Sequence, residues 1–148
     1  MKTAAALALV LATLAACGDD PPPAEDVTAC AALEMGPYVP VVATISKDTG
    51  TPAVLSDAQS YMITLPATGI GYVKFDATSA REHIMYLDRA VPLMAQTSAS
   101  AAVPPKSTAM SSDACPTIKG RYVFTLAAGV GYIGLGPDAG GPVNLVID

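Results

Sequence analysis

The chain has 148 residues, with 8 Lys+Arg against 13 Asp+Glu and a formal net charge of −5. That length holds one domain rather than two full ones, and the acidic balance excludes a nucleic-acid binder, which needs a basic face. One histidine and three cysteines without a Cys-x-x-Cys pair exclude the common zinc frameworks, so neither a metal nor another cofactor is expected.

Met1-Lys2 is a short positive start, and residues 3–16 are then apolar or small with no charge. A run of about 14 residues is short for a membrane span, which needs about 20, and suits the hydrophobic region of a signal peptide. It ends in Leu14-Ala15-Ala16-Cys17. An aliphatic residue, two small residues and Cys in that order resemble the lipobox of bacterial lipoproteins. The resemblance implies cleavage of residues 1–16, a lipid on Cys17, and a membrane anchored through that lipid; two or three acyl chains give stable anchoring where one does not. The other reading is an ordinary secreted protein cleaved near Ala15-Ala16. Gly18, rather than an Asp, follows the Cys, which by the same resemblance favours the outer membrane.

Residues 18–29 read GDDPPPAEDVTA. Three consecutive prolines and four acids cannot build a core, so 17–29 is expected to be a tether. At about 3.1 Å per residue it would lift a domain spanning 30–148 by roughly 30–35 Å. A short helical turn within 26–35, before Gly36-Pro37, is the one helical expectation.

The rest reads as strands. Residues 38–45 are β-branched and apolar, with Pro40 suggesting an edge. The clearest signal is a repeat: 61–75 aligns with 122–135, with Thr68 as a one-residue insertion, and 7 of 14 aligned positions are identical. Each copy reads as a β-hairpin, pairing Leu65 with Gly69 and Leu126 with Gly129. Alternation puts Tyr61, Ile63, Leu65, Gly71, Val73 and Phe75 on one apolar face, and Tyr122, Phe124, Leu126, Gly131, Ile133 and Leu135 on its equivalent. A further strand follows each copy, in 82–91 and 141–148. Residues 95–116, rich in Ala, Ser, Thr and Pro, read as an ordered crossover or a flap.

Short strands with turn signals at this spacing give an all-β fold, a single antiparallel β-sandwich containing two similar hairpin units. The string GRYVFTLAAGVGYIGLG followed by VNLVI resembles small jelly-roll-like sandwiches such as the bacterial pre-peptidase C-terminal domain. That resemblance implies an accessory, non-catalytic module of an exported protein.

Catalytic motifs are lacking. Gly129-Val-Gly-Tyr-Ile-Gly134 matches a dinucleotide string, but Leu135-Gly136-Pro137 after it starts no helix. His83 has no Gly-x-Ser-x-Gly partner and reads as a surface or half-buried strand residue. Lys106 has no Ser-x-x-Lys pattern, and Asp76, Asp88 and Asp138 read as turn residues. Cys30 and Cys115 are expected to form a disulfide, as exported proteins favour. Tyr72 and Tyr132 share an outward face, where aromatics can stack on sugar rings or pack beneath a loop. The reading is therefore a lipid-anchored, non-enzymatic envelope lipoprotein acting as an interaction or structural module, its partner an envelope protein or a glycan, with a glycan or small-ligand module using Tyr72 and Tyr132 as the alternative.

Overall fold

The computed structural model describes residues 21–47, 50–138 and 141–148. The expected signal peptide, Cys17 and the start of the tether lie outside these residues. No helix among the described residues is long and apolar enough to cross a membrane.

The chain enters through a helix, α1 (Ala24–Met35). Pro23 precedes its first turn, where a missing N–H costs nothing. Glu25 and Asp26 lie in that turn, beside the positive end of the helix dipole. Gly36, at φ 66°, ends it, and a Cβ there would come within 3.0 Å of the Tyr38 backbone nitrogen. Residues 24–29, expected to be tether, are thus the first half of α1, and Asp26 and Ala29 are buried. The proline and acid content that suggested a solvated linker is equally the chemistry of a helix start.

The strands are β1 (Tyr38–Val42), β2 (Ala53–Val54), β3 (Ser60–Thr64), β4 (Gly71–Ala77), β5 (Arg81–Leu87), β6 (Leu93–Thr97), β7 (Ala102–Val103), β8 (Ser107–Ala109), β9 (Gly120–Leu126), β10 (Gly129–Leu135) and β11 (Val143–Ile147). They form an all-β sandwich: a six-stranded sheet in the order β1-β3-β11-β5-β9-β8 faces a five-stranded sheet in the order β2-β4-β10-β6-β7. Pairing is antiparallel except for β1·β3 and β2·β4. Pro40 lies on β1, an edge strand as expected.

The repeat is real, but it does not build hairpins. β3 and β4 lie in different sheets, and so do β9 and β10. Each copy sends its first strand to the six-stranded sheet, its second to the five-stranded sheet and its third back. The two copies then pair with each other. Val73 pairs with Ile133, its own repeat equivalent. Gly71 pairs with Leu135 and Phe75 with Gly131, so these two pairs exchange when the copies are swapped. In the other sheet Tyr61 pairs with Leu145 as Tyr122 pairs with Met85, and Ile63 with Val143 as Phe124 with His83. Tyr86 pairs with Val146 at the centre of that sheet. The register defines a pseudo-two-fold axis running through Val73·Ile133 and Tyr86·Val146.

Backbone chemistry explains why the hairpin fails. A two-residue hairpin turn needs positive φ at its first or at both loop positions. Ala127 and Ala128 separate β9 from β10, and neither has a positive φ; that conformation falls on Gly129, at 114°. The chain therefore swings across to the opposite sheet instead of folding back beside itself. In copy one Pro66, which has no N–H to donate, follows β3 in the same way.

The inward faces survive this change of partner. Ile63, Val73, Phe75, Phe124, Ile133 and Leu135 are buried in the main core, and Leu65, Tyr122 and Leu126 close over its rim. A smaller core lies on the other side of the six-stranded sheet, where Ala29, Cys30 and Leu33 of α1 cover Tyr86, Val146 and Ile118. Residues 95–116 are an ordered crossover: β6 and β7 belong to the five-stranded sheet and β8 to the six-stranded sheet.

Alternation along β9 yields a direct test. Phe124 is fully buried, whereas the neighbouring Thr125 is exposed. Phe124→Ala should cost about 3–5 kcal/mol, and Thr125→Ala should stay within about 0.5 kcal/mol. Ile63→Ala and Thr64→Ala should repeat the contrast in copy one. Urea titration measures all four; equal losses within a pair would contradict the face assignment.

Candidate functional site

The structure brings Tyr72 and Tyr132 together on the outer face of the five-stranded sheet, both half-buried. They are diagonal neighbours: Tyr72 pairs with Gly134, and Tyr132 pairs with Lys74 on one side and Gln96 on the other. Gly134 makes room for the Tyr72 ring, since a Cβ there would come within 3.1 Å of Tyr72 Cε1 and 2.9 Å of Met94 Cγ.

The sequence reading did not include what lies over the two rings. After β1 the chain crosses to the five-stranded sheet, where Thr44 and Tyr72 exchange backbone hydrogen bonds of 3.1 and 2.7 Å. This hook delivers Lys47, whose Nζ stands 5.3 Å from the centroid of Tyr72 and 5.9 Å from that of Tyr132. Lys47 Nζ also donates to Gln96 Oε1 at 2.8 Å, and the Tyr132 hydroxyl donates to the Lys47 carbonyl at 3.0 Å. Each cation–π contact contributes about 0.5–1 kcal/mol at a site this open. The rings are a stacking platform already occupied by the chain's own ammonium, and a sugar would have to displace it.

A second constellation is buried beneath α1. Asp26, 3% exposed, accepts hydrogen bonds from the Tyr86 hydroxyl at 2.7 Å, the Ser112 hydroxyl at 2.5 Å and Arg121 Nε at 3.0 Å. The Arg121 guanidinium lies 5.9 Å from the Tyr86 ring centroid. Burial pushes the Asp26 carboxyl up, but the Ser112, Tyr86 and Arg121 hydrogen bonds and the Arg121 charge outweigh it and hold the group below its usual 3.8. Burial and the Asp26 carboxylate together raise the Tyr86 hydroxyl well above its ordinary range. A carboxylate tied by three donors and held ionised is no general base. The cluster pins α1 to β5, β9 and the segment around Ser112.

His83 departs from expectation. Its inward position on β5 leaves it 1% exposed. The ring stands edge-on to Phe75 at 5.0 Å, and Nδ1 lies 3.3 Å from the Asp148 carbonyl. Nε2 is buried without a partner. Burial first, and the Arg81 charge second, lower its pKa from 6.5 against the opposing pull of Asp148. Val143 fills the equivalent place in the other copy, an apolar position by the fold's own symmetry.

Cys30 and Cys115 form the expected disulfide, with Cα atoms 6.1 Å apart at a sequence separation of 85. Glu34 lies beside them, its donor oxygen within 4.8 Å of both sulfurs, but it accepts a hydrogen bond from the Thr117 hydroxyl at 2.7 Å. With the sulfurs bonded to each other, the cluster offers no thiolate to a metal. The other sequence candidates are dispersed. Gly129, Gly131 and Gly134 lie within extended β10, far from the strand-to-helix turn a dinucleotide needs. Lys106 pairs with Glu82. Asp76 lies in β4 rather than in a turn, paired with Val130. Asp88 accepts from the Asn144 backbone and side-chain nitrogens, each at 2.8 Å, and Asp138 pairs with Arg89 at 2.7 Å.

Two pH effects follow. Asp26 has a depressed folded-state pKa, so its contribution is complete above about pH 4 and is lost as pH falls through the folded value. Asp26→Asn leaves Arg121 without a counter-charge and should cost about 3 kcal/mol; its melting temperature should then vary less below pH 4 than that of the wild type. His83 is also depressed, so the stability it confers is present above its unfolded value near 6.5 and declines as pH falls below it. His83→Leu removes the unpartnered nitrogen. It should match or exceed wild-type stability at pH 7 and flatten the wild-type loss in melting temperature between pH 6.5 and pH 5, a window in which His83 is the one histidine that titrates. A steeper decline in the variant would contradict the assignment. No family model and no curated protein matches this chain.

Proposed function

We propose that this protein is a bacterial lipoprotein whose sandwich is a non-catalytic interaction module, held at the cell envelope by a lipid on Cys17. The observation that carries the reading is the order of features at the N-terminus: Met1-Lys2, an uncharged apolar run, then Leu14-Ala15-Ala16-Cys17. The Cys30–Cys115 disulfide supports export, because such bonds persist in oxidising compartments. Gly18 after the Cys favours the outer membrane over the inner one.

The non-catalytic reading draws support from the state of the titratable groups. The chain's one histidine is sealed in the core, and Asp26 is neutralised by Arg121. The glycan alternative rests on the shared face of Tyr72 and Tyr132 and requires Lys47 to leave it.

The helix changes the geometry of the anchor. With α1 starting at Ala24, fewer residues separate it from Cys17 than the composition suggested, and their reach is about 20 Å at 3.1 Å per residue. The domain would sit close to the headgroups, with the α1 side toward the bilayer.

Membrane fractionation and intact mass test this reading. The wild type should carry an acylated N-terminal Cys17 and sediment with membranes, and Cys17→Ser should lose both acylation and membrane retention. An unmodified N-terminus in the wild type would overturn it.

A further inference from the structure

The two ends of the sandwich are unlike, although the repeat makes their backbones alike. Gly71 and Gly131 are equivalent inward positions on β4 and β10. At Gly71 the space is full: a Cβ would come within 2.8 Å of Ala43 Cβ and of Pro66 Cδ, and within 3.2 Å of Leu65 Cδ2. At Gly131 a Cβ would come within 2.7 Å of the Gln96 backbone oxygen, but the next atoms, also backbone, are 3.9 and 4.0 Å away and no side chain is nearer. Ala127 replaces the bulkier Pro66 there. Leu126 keeps the place of Leu65, whereas the ring of Pro66 has no counterpart at this end.

The result is a cavity of about 150 Å³ between the sheets, open where β9 passes to β10. Phe75, Ala77, Ala95 and Ile133 line it from the five-stranded sheet, with Val103 and Leu126 beside them. Gln96, Thr97 and Ser98 edge it, and no charged residue lines it. A largely apolar cavity of this size has room for a group the size of benzene.

We propose that this cavity is a binding site for a neutral ligand with an apolar group the size of one six-membered ring. The lining selects against charge, because an ion entering it would lose its hydration and meet no counter-ion. The alanines determine the size; larger side chains at Ala77 or Ala95 would fill the space. The site adjoins the Tyr72–Tyr132 face, sharing Gln96 and Tyr132 of β6 and β10 with it, and does not depend on the anchor at Cys17.

Benzene is the probe, with benzoate as its charged counterpart. The full chain carrying Cys17→Ser is titrated and followed by the methyl resonances of Ala95, Val103, Leu126 and Ile133. Benzene should shift these resonances saturably, and benzoate should bind at least tenfold more weakly. Ala95→Leu fills the cavity; it should weaken benzene binding at least tenfold while the melting temperature stays equal or rises. If Ala95→Leu fails to fold, Val103→Phe closes the space from β7 and should give the same loss. Absence of saturation up to the solubility limit of benzene, equal binding of benzoate, or undiminished binding in a folded filled variant would each overturn the proposal.

Discussion

The fold depends on the mutual pairing of two copies of one short segment. Neither copy is a unit by itself. Its first and second strands lie in opposite sheets, and no strand pairs with another strand of its own copy. The pairs Val73·Ile133 and Tyr86·Val146 lie on the axis that relates the copies, one in each sheet. A slip of one residue at either pair would turn every inward side chain of the slipped strand outward. The register is therefore fixed at these two places, and the core of Ile63, Phe75, Phe124 and Leu135 follows from it.

What distinguishes this molecule from a symmetric sandwich lies where the symmetry is broken. α1 covers the axis on one side, over Tyr86 and Val146, and is held there by Asp26 and by the disulfide from Cys30. The chain after β1 covers part of the opposite sheet and sets Lys47 over two tyrosines. His83 occupies a place where the other copy has Val143. One end of the core is plugged by Ala43, Leu65 and Pro66, and the other is left open at Gly131. Each departure adds chemistry that the repeat alone does not contain: a buried ion pair, a roofed aromatic face, a buried imidazole with one unpartnered nitrogen and an apolar cavity.

These departures also give the two sheets different environments. The six-stranded sheet is buried on both faces near its centre, which is why β5 and β11 carry almost continuous apolar runs after His83 and Val143. The five-stranded sheet keeps an outer face that is mixed, as an antiparallel sheet with one solvated side should be. On that face the Tyr72 ring occupies the space left by Gly134, and the Tyr132 hydroxyl donates to the carbonyl of Lys47 in the loop above.

The sequence by itself determined the strands, their inward faces, the repeat, the edge position of Pro40 and the cysteine pairing. All but the last depend on neighbours along the chain: alternation with a period of two, a proline that cannot donate, and recurring residues at a constant spacing. The cysteine pairing followed from there being two candidates for one bond once Cys17 is set aside. Tertiary structure alone decided which strands pair. A hairpin and an arch between sheets put the same residues of each strand toward the core, so Tyr61, Ile63 and Val73 read identically in both. The difference lies in the backbone angle at Gly129 and in partners some sixty residues away. The same reason hid the length of α1, of which only a turn within 26–35 was expected, and its buried carboxylate. Asp26 looks like a linker acid until Tyr86, Ser112 and Arg121, brought from three other parts of the chain, supply the hydrogen bonds that let a charged group be buried.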